Sequence, residues 1–217
     1  MEFQFQTPAR VFIAGPSGCG KTTRLFQILE WNSLLFDNKE HFDNIFYFYN
    51  TWNKDFDKYG HLVTEFINEY PSIPLIEEKC NSFKEKNGSV VVIDDFGSQL
   101  KGDIVEFFTV KSHHLNISVF FLHQNLFPRQ SFARDITLNT TDTIIFKNPR
   151  DPSQIRHFAT QFKPGKSGCL VEAYNKATTE PYSYLWINQR QAACNNLRVL
   201  TNVTPDEWPP YCFIDNE

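Results

Sequence analysis

No stretch of this sequence approaches the roughly 18 consecutive apolar residues that a bilayer-spanning helix requires, so no such helix is expected. Residues 1–10 also lack the basic-then-apolar layout of a secretory leader. Cysteine is sparse: Cys19, Cys80, Cys169, Cys194 and Cys212 form no CxxC pair and no Cys/His cluster, which argues against a zinc site or a disulfide framework. A reducing, intracellular compartment is the expectation. There is no excess of basic charge either. The net charge of -4 argues neither for nor against DNA. A small basic DNA-binding domain usually shows a high pI, which this sequence lacks, but a local basic strip would be enough for contact. Internal repeats and low-complexity tracts are absent.

What is present is the composition of a soluble globular protein, 41% hydrophobic and 21% charged, at a length of 217 residues that suits one ordinary domain. The 22 phenylalanines sit on short apolar runs. Strand-like and helix-like segments alternate, which predicts an α/β fold with a mostly parallel central sheet of about five strands. The expected strands are Arg10–Ala14, Asn44–Tyr49, Ser89–Ile93, Ile117–Leu122 and Thr143–Phe146. Helices are expected at Thr22–Trp31 and Asp103–Leu115, and after Asp151, which reads as an N-cap with Pro152 at the first helical position. Cys169–Tyr174 and Tyr182–Ile187 read as an antiparallel C-terminal β-hairpin. Residues 1–188 are assigned to the domain. Residues 189–217, polar and without a clear period, are assigned to a tail that wraps the domain or meets a partner.

The strongest local signal is Gly15-Pro16-Ser17-Gly18-Cys19-Gly20-Lys21-Thr22, a complete GxxxxGK[ST] match with a strand before it and a helix after it. Glycines let backbone N–H groups curl around phosphate, and the helix N-terminus adds partial positive charge. Nucleotide contacts are therefore expected from Gly15 through Thr23, with Lys21 on the β- and γ-phosphates of ATP and the Thr22 hydroxyl on Mg²⁺. Cys19 reads as a small filler residue. A second signal is the apolar run Val90–Ile93 delivering Asp94 and Asp95, which fits a Walker B element. Asp94 would hold Mg²⁺ directly or through water, and Asp95 would act as general base; the alternative role for Asp95 is to cap the next helix. Paired acids at this point belong to the P-loop ATPases with an extra strand between the two Walker strands, and Asn44–Tyr49 is taken as that strand. A third signal is His123-Gln124-Asn125 at a strand end. Gln124 is the first choice for sensing the γ-phosphate, with Asn125 second. His113 and His114 read as a solvated helix end.

The loop alone also resembles guanylate kinases and ABC transporter ATPases. Residues 81–88, however, carry no LSGGQ-like signature before the acidic strand. The blocks His123–Phe127, Ala133–Asn139 and Ile145–Ile155, above all Phe146-Lys-Asn-Pro-Arg-Asp151, resemble DNA-packaging ATPases of Polinton, adintovirus and virophage type. Those belong with the FtsK/HerA-like superfamily and are related to the poxvirus packaging ATPase. The resemblance spans roughly residues 10–175. It departs at Phe132-Ala-Arg134, where the relatives carry Ser-Arg, and this leaves the role of Arg134 open.

The resemblance implies a RecA-like or FtsK/HerA-like ATPase forming a homo-oligomeric ring that moves double-stranded viral DNA into a capsid, with a capsid or portal component as partner. It also implies work inside an infected host cell, in a virus factory or the nucleus, with virion association open, and no membrane partner. Arg150 and Arg134 are the two arginines placed to complete a neighbouring subunit's site, Arg150 first. Lys101 and Lys111 are the first lysines to consider for DNA. Two other readings stay open: a P-loop enzyme acting on a small molecule, such as a nucleotide kinase, and a nucleotide-dependent scaffold.

Overall fold

The computed structural model describes residues 3–37, 41–42, 44–81, 88–96, 99, 101–128 and 133–214. Most of residues 81–88, and Phe132, lie outside that set. In chain order the elements begin with β1 (Arg10–Ala14), α1 (Lys21–Glu30), α2 (Asn32–Leu35), β2 (Asn44–Tyr49) and α3 (Asp55–Tyr59). They continue with β3 (Glu65–Ile67), α4 (Ile73–Asn81), β4 (Ser89–Asp94) and α5 (Gly102–Glu106), which runs through a π-helical turn (Phe107–Lys111) into α6 (Ser112–His114). Next come β5 (Ile117–His123), α7 (Ala133–Asn139), β6 (Asp142–Phe146), α8 (Ser153–Phe162) and α9 (Ser167–Ala177). The last strands are β7 (Tyr184–Asn188), β8 (Val199–Thr201) and β9 (Tyr211–Cys212).

The strands make one sheet in the order β3-β2-β4-β5-β1-β6-β7-β8-β9. Pairing is parallel from β3 to β6 and antiparallel from β6 to β9. Alternate residues of each strand feed two separate cores. Phe46, Phe48, Val91, Ile93, Val119 and Phe121 pack on one face with α4, α5, α8 and α9. Ile45, Tyr47, Val90, Val92, Phe120 and Leu122 pack on the other face with α1. Burial on both faces is why these strands read as continuous apolar runs.

Three expectations are corrected. Cys169–Tyr174 is not a strand but part of α9, because Leu170, Ala173, Tyr174 and Ala177 are buried at i, i+3, i+4 and i+7, a helical stripe. The expected hairpin partner, β7, pairs with β6 instead, Phe146 opposite Tyr184. Finally, the strand lying between β1 and the acidic strand β4 is β5; Asn44–Tyr49 is β2 and sits on the far side of β4.

The helix after Asp151 forms as expected. The Asp151 carboxylate accepts from the backbone N–H of Ser153 (3.2 Å) and from the Gln154 amide (2.8 Å), the work of an N-cap, although regular helix begins at Ser153. Residues 189–214 supply β8 and β9, which extend the sheet beyond β7. They also anchor α1. Arg24 ion-pairs with Glu207 (2.5 Å), donates to Thr204 and lies over the Tyr184 ring (4.5 Å), while Gln27 donates to Asp206 (3.0 Å).

Candidate nucleotide site

The sheet order sets up the site. The C-terminal ends of β1, β5 and β4 lie side by side, because β1 pairs in parallel with β5 and β5 with β4. The turn after β1 is confined: a β-carbon on Gly15 would stand 2.6 Å from the Cys19 sulfur and 2.7 Å from the Phe146 β-carbon, so only glycine fits. Gly20, at φ 99°, turns the chain into α1 in the left-handed region. The Lys21 ammonium curls back over the loop and donates to the carbonyl oxygens of Gly15 (2.7 Å) and Pro16 (3.0 Å). Cys19 packs its sulfur beneath Gly15, and burial raises its thiol pKa. Gly18, Gly20, Lys21, Thr22, Asp94, Asp95 and Gln124 share one cleft of about 730 Å³.

Asp94 ends β4 with its carboxylate accepting from the Tyr47 hydroxyl on β2 (2.7 Å). Burial raises the Asp94 pKa to about 6, against the opposing pull of that hydrogen bond and of the Lys21 charge. The Tyr47 hydroxyl is held well above its usual range, first by burial and then by the Asp94 charge, and it also reaches the Thr22 side chain. Thr22 and Asp94 thus bring a hydroxyl and a carboxylate oxygen to one point. Hard oxygen donors in small number are what Mg²⁺ accepts when substrate phosphates complete its shell, so the residues present fit that ion.

Asp95 follows in the left-handed conformation at φ 63°, uncommon for a residue other than glycine and a form of strain found at functional sites. Its carboxylate meets the amide of Gln124 (3.3 Å). The turn carrying Gln124 is fixed by its neighbours. The backbone N–H of Asn125 bonds the His123 ring (2.9 Å), and that ring stacks against Phe12 and Phe121. The Asn125 side-chain oxygen instead accepts from the Gln154 amide on α8 (3.4 Å). The geometry therefore separates the two sensor candidates and sets Gln124 beside the second acid.

Arg150 and Arg134 do not line this cleft. Arg150 is exposed on the loop after β6, where Asn148 accepts its backbone N–H (3.2 Å). Tyr174 steadies that loop by accepting from the Asn148 N–H (2.9 Å) and donating to the Phe146 carbonyl (3.2 Å). Arg134 is exposed at the start of α7. Among the described residues neither guanidinium has an ion-pair partner, and Asp151 is engaged with Ser153 and Gln154. Lys111 pairs with Glu77 (2.9 Å) and Lys101 lies over Tyr70 (4.9 Å), so both lysines have partners within the protein. His113 and His114 are exposed and pack on each other at 6.0 Å. Among the described residues no three His, Cys, Asp or Glu cluster to hold a metal, and no helix is long and apolar enough to cross a membrane.

Sequence reasoning missed Tyr47, Asp55 and Tyr182. Asp55 accepts from the Thr23 hydroxyl (2.6 Å) and lines the cleft. Tyr182, 67% exposed, lines it from the opposite side. Tyr47 reaches Asp94 only because β2 registers on β4 with Tyr47 opposite Val92, two residues from the acid. No pattern within β2 itself announces this.

A phosphate-binding turn between β1 and α1, two acids ending β4 and a polar residue ending the intervening β5 together define a P-loop NTPase. A profile of the Poxvirus A32 protein family matches residues 3–142. The protein belongs to that family. The match ends before Phe146–Asp151, the segment most specific to the resemblance. Comparison with curated proteins gave no match. Among solved structures the fold is similar to B204, the DNA-packaging ATPase of Sulfolobus turreted icosahedral virus: TM-score 0.57, 13% identity, 90% of this chain and 97% of that one covered. It is also similar to the genome packaging NTPase B204 of Sulfolobus turreted icosahedral virus 2 in complex with ATP-gammaS: TM-score 0.53, 13% identity, 86% and 95% covered. At that identity the likeness is one of fold.

The buried acid has a consequence for stability. A carboxyl with a folded pKa of about 6 and an ordinary value of 3.8 holds more protons folded than unfolded between those limits, so its charge destabilises the fold above pH 6 and the penalty fades on acidification. Asp94→Asn removes the charge and keeps an acceptor for Tyr47. At about pH 7.5, without nucleotide, this variant should be more stable than the unaltered protein by on the order of 2 kcal/mol, allowing for partial exposure of the group. Melting curves across pH check this: the gap should narrow as pH falls below about 6 and close only near the ordinary value of 3.8. A less stable variant at the higher pH would mean the carboxylate is better compensated than its burial implies.

Proposed function

We propose that the protein hydrolyses ATP with Mg²⁺ to move double-stranded viral DNA into a capsid, working as a homo-oligomeric ring in an infected cell. The observation that carries the chemistry is the meeting of Asp95 with Gln124 across the same cleft that Lys21 and Thr22 enter. Membership of the Poxvirus A32 family and the fold shared with B204, a DNA-packaging ATPase, support the packaging part.

In this reading Lys21 leaves the loop carbonyls to neutralise β- and γ-phosphate oxygens. Asp95 takes the proton of the attacking water, and Gln124 holds that water in line with the γ-phosphoryl group. Thr22 and Asp94 would hold Mg²⁺, which when bound neutralises phosphate charge. Arg150, on its braced loop, reaches the adjoining protomer's site. A capsid or portal component receives the DNA.

Hydrolysis assays with and without linear duplexes test this. DNA of unrelated sequences should accelerate turnover alike, and the effect should fall steeply with salt, because such a motor grips phosphates and not bases. Lys21→Ala should abolish turnover with or without DNA. Acceleration by a nucleotide acceptor in place of DNA would point to a kinase, and preference for one DNA sequence would contradict the motor.

A further inference from the structure

The acids and Gln124 lie on one side of the P-loop, at the ends of β4 and β5. A bound triphosphate must direct its γ-phosphate to that side, so its base leaves toward β6 and β7. β7 runs antiparallel to β6, which brings the segment just before it to the same edge of the sheet as the P-loop. That segment carries Tyr182.

Three observations set Tyr182 apart. Its ring flanks the last glycine of the loop: a β-carbon on Gly20 would lie 3.4 Å from its Cδ1. It is 67% exposed and lines the cleft, and among the described residues its ring has no aromatic or cation-π partner and its hydroxyl no hydrogen bond. Its φ is 66°, in the left-handed region that a bulky side chain rarely adopts. The turn is held there by its neighbours, with the Ser183 hydroxyl donating to the Glu180 carbonyl (2.6 Å) and the Thr178 hydroxyl donating to the Tyr174 carbonyl (2.7 Å). A free aromatic face is therefore kept at a backbone cost on the base side of the loop. The other large aromatic lining the cleft, Trp52, follows β2 on the acid side and packs against Phe56 (5.1 Å).

We propose that Tyr182 is the platform on which the nucleobase of the bound triphosphate stacks, a base subsite built on the segment entering β7. The proposal rests on the nucleotide reading above. It assigns Tyr182 to the base alone, and this separates the two in experiment. Binding of a non-hydrolysable ATP analogue and of inorganic tripolyphosphate should be measured with the full chain as it stands, with Tyr182→Gly and with Tyr182→Phe. Stacking of a base on an aromatic ring predicts a loss of about tenfold to a hundredfold for the analogue in Tyr182→Gly. Tripolyphosphate should bind all three alike, and Tyr182→Phe should match the unaltered protein. The melting temperature of Tyr182→Gly should hold or rise, because glycine relieves the strained φ. Unchanged analogue affinity in Tyr182→Gly overturns the proposal and leaves the nucleotide reading intact. An equal loss for both ligands with a lowered melting temperature overturns it in favour of a structural role. Failure of the unaltered protein to bind either ligand defeats the nucleotide reading and the proposal together.

Discussion

Asp95→Asn is expected to bind ATP about as tightly as the unaltered protein and to hydrolyse it roughly 10²–10⁴-fold more slowly, the range that general-base catalysis contributes. The amide preserves the shape and keeps an oxygen for the Gln124 contact, so the loop geometry should survive. What it loses is the capacity to take a proton. The left-handed backbone at Asp95 tolerates asparagine as readily as aspartate, which makes this substitution cleaner than alanine. Nucleotide binding and single-turnover hydrolysis, measured together, separate the two effects. A variant with unaltered turnover would remove Asp95 from the chemistry and turn attention to Gln124.

The second large effect concerns a site completed across a subunit boundary. Arg150→Ala protomers are expected to bind ATP normally and to lose about 10³–10⁵ in turnover, as motors do when an arginine finger is removed. Arg150 is suited to this by what surrounds it. It is exposed, lacks an ion-pair partner among the described residues, and sits on a loop braced by Tyr174 and by the Asn148 side chain. Mixing is the test. Lys21→Ala protomers cannot use their own site but keep the finger, so adding them to Arg150→Ala protomers should restore part of the activity. No rescue at any ratio, in rings shown to form, would leave Arg134 or remove the trans mechanism.

Much of the site could be read from the sequence, for a physical reason. The P-loop is a local motif in which residue type and spacing are both dictated by phosphate, and its flanking strand and helix are adjacent in the chain. Strands β1, β2, β4, β5 and β6 were legible because burial on both faces demands continuous β-branched and aromatic runs. The three residues of β3 and the short edge strands β8 and β9 carry too little pattern to stand out. α9 was misread because Cys169–Tyr174 is a short, mostly apolar run broken only by Glu172, too short to show a period, and the helical stripe is complete only when Ala177 is included. Tyr47 and Tyr182 were invisible for a different reason. Their placement depends on which strands are neighbours, β2 beside β4 and β7 beside β6, and no short-range pattern encodes that.

The most direct test of the motor reading is displacement of a labelled third strand from a triplex formed on a long linear duplex. With ATP and Mg²⁺ the assembled protein is expected to strip the third strand, with a delay that grows with the length of duplex leading to it. The Lys21→Ala protein, or a non-hydrolysable analogue, should leave the triplex intact. ATP hydrolysis that proceeds on the same duplex without displacing the third strand would contradict translocation as the protein's function.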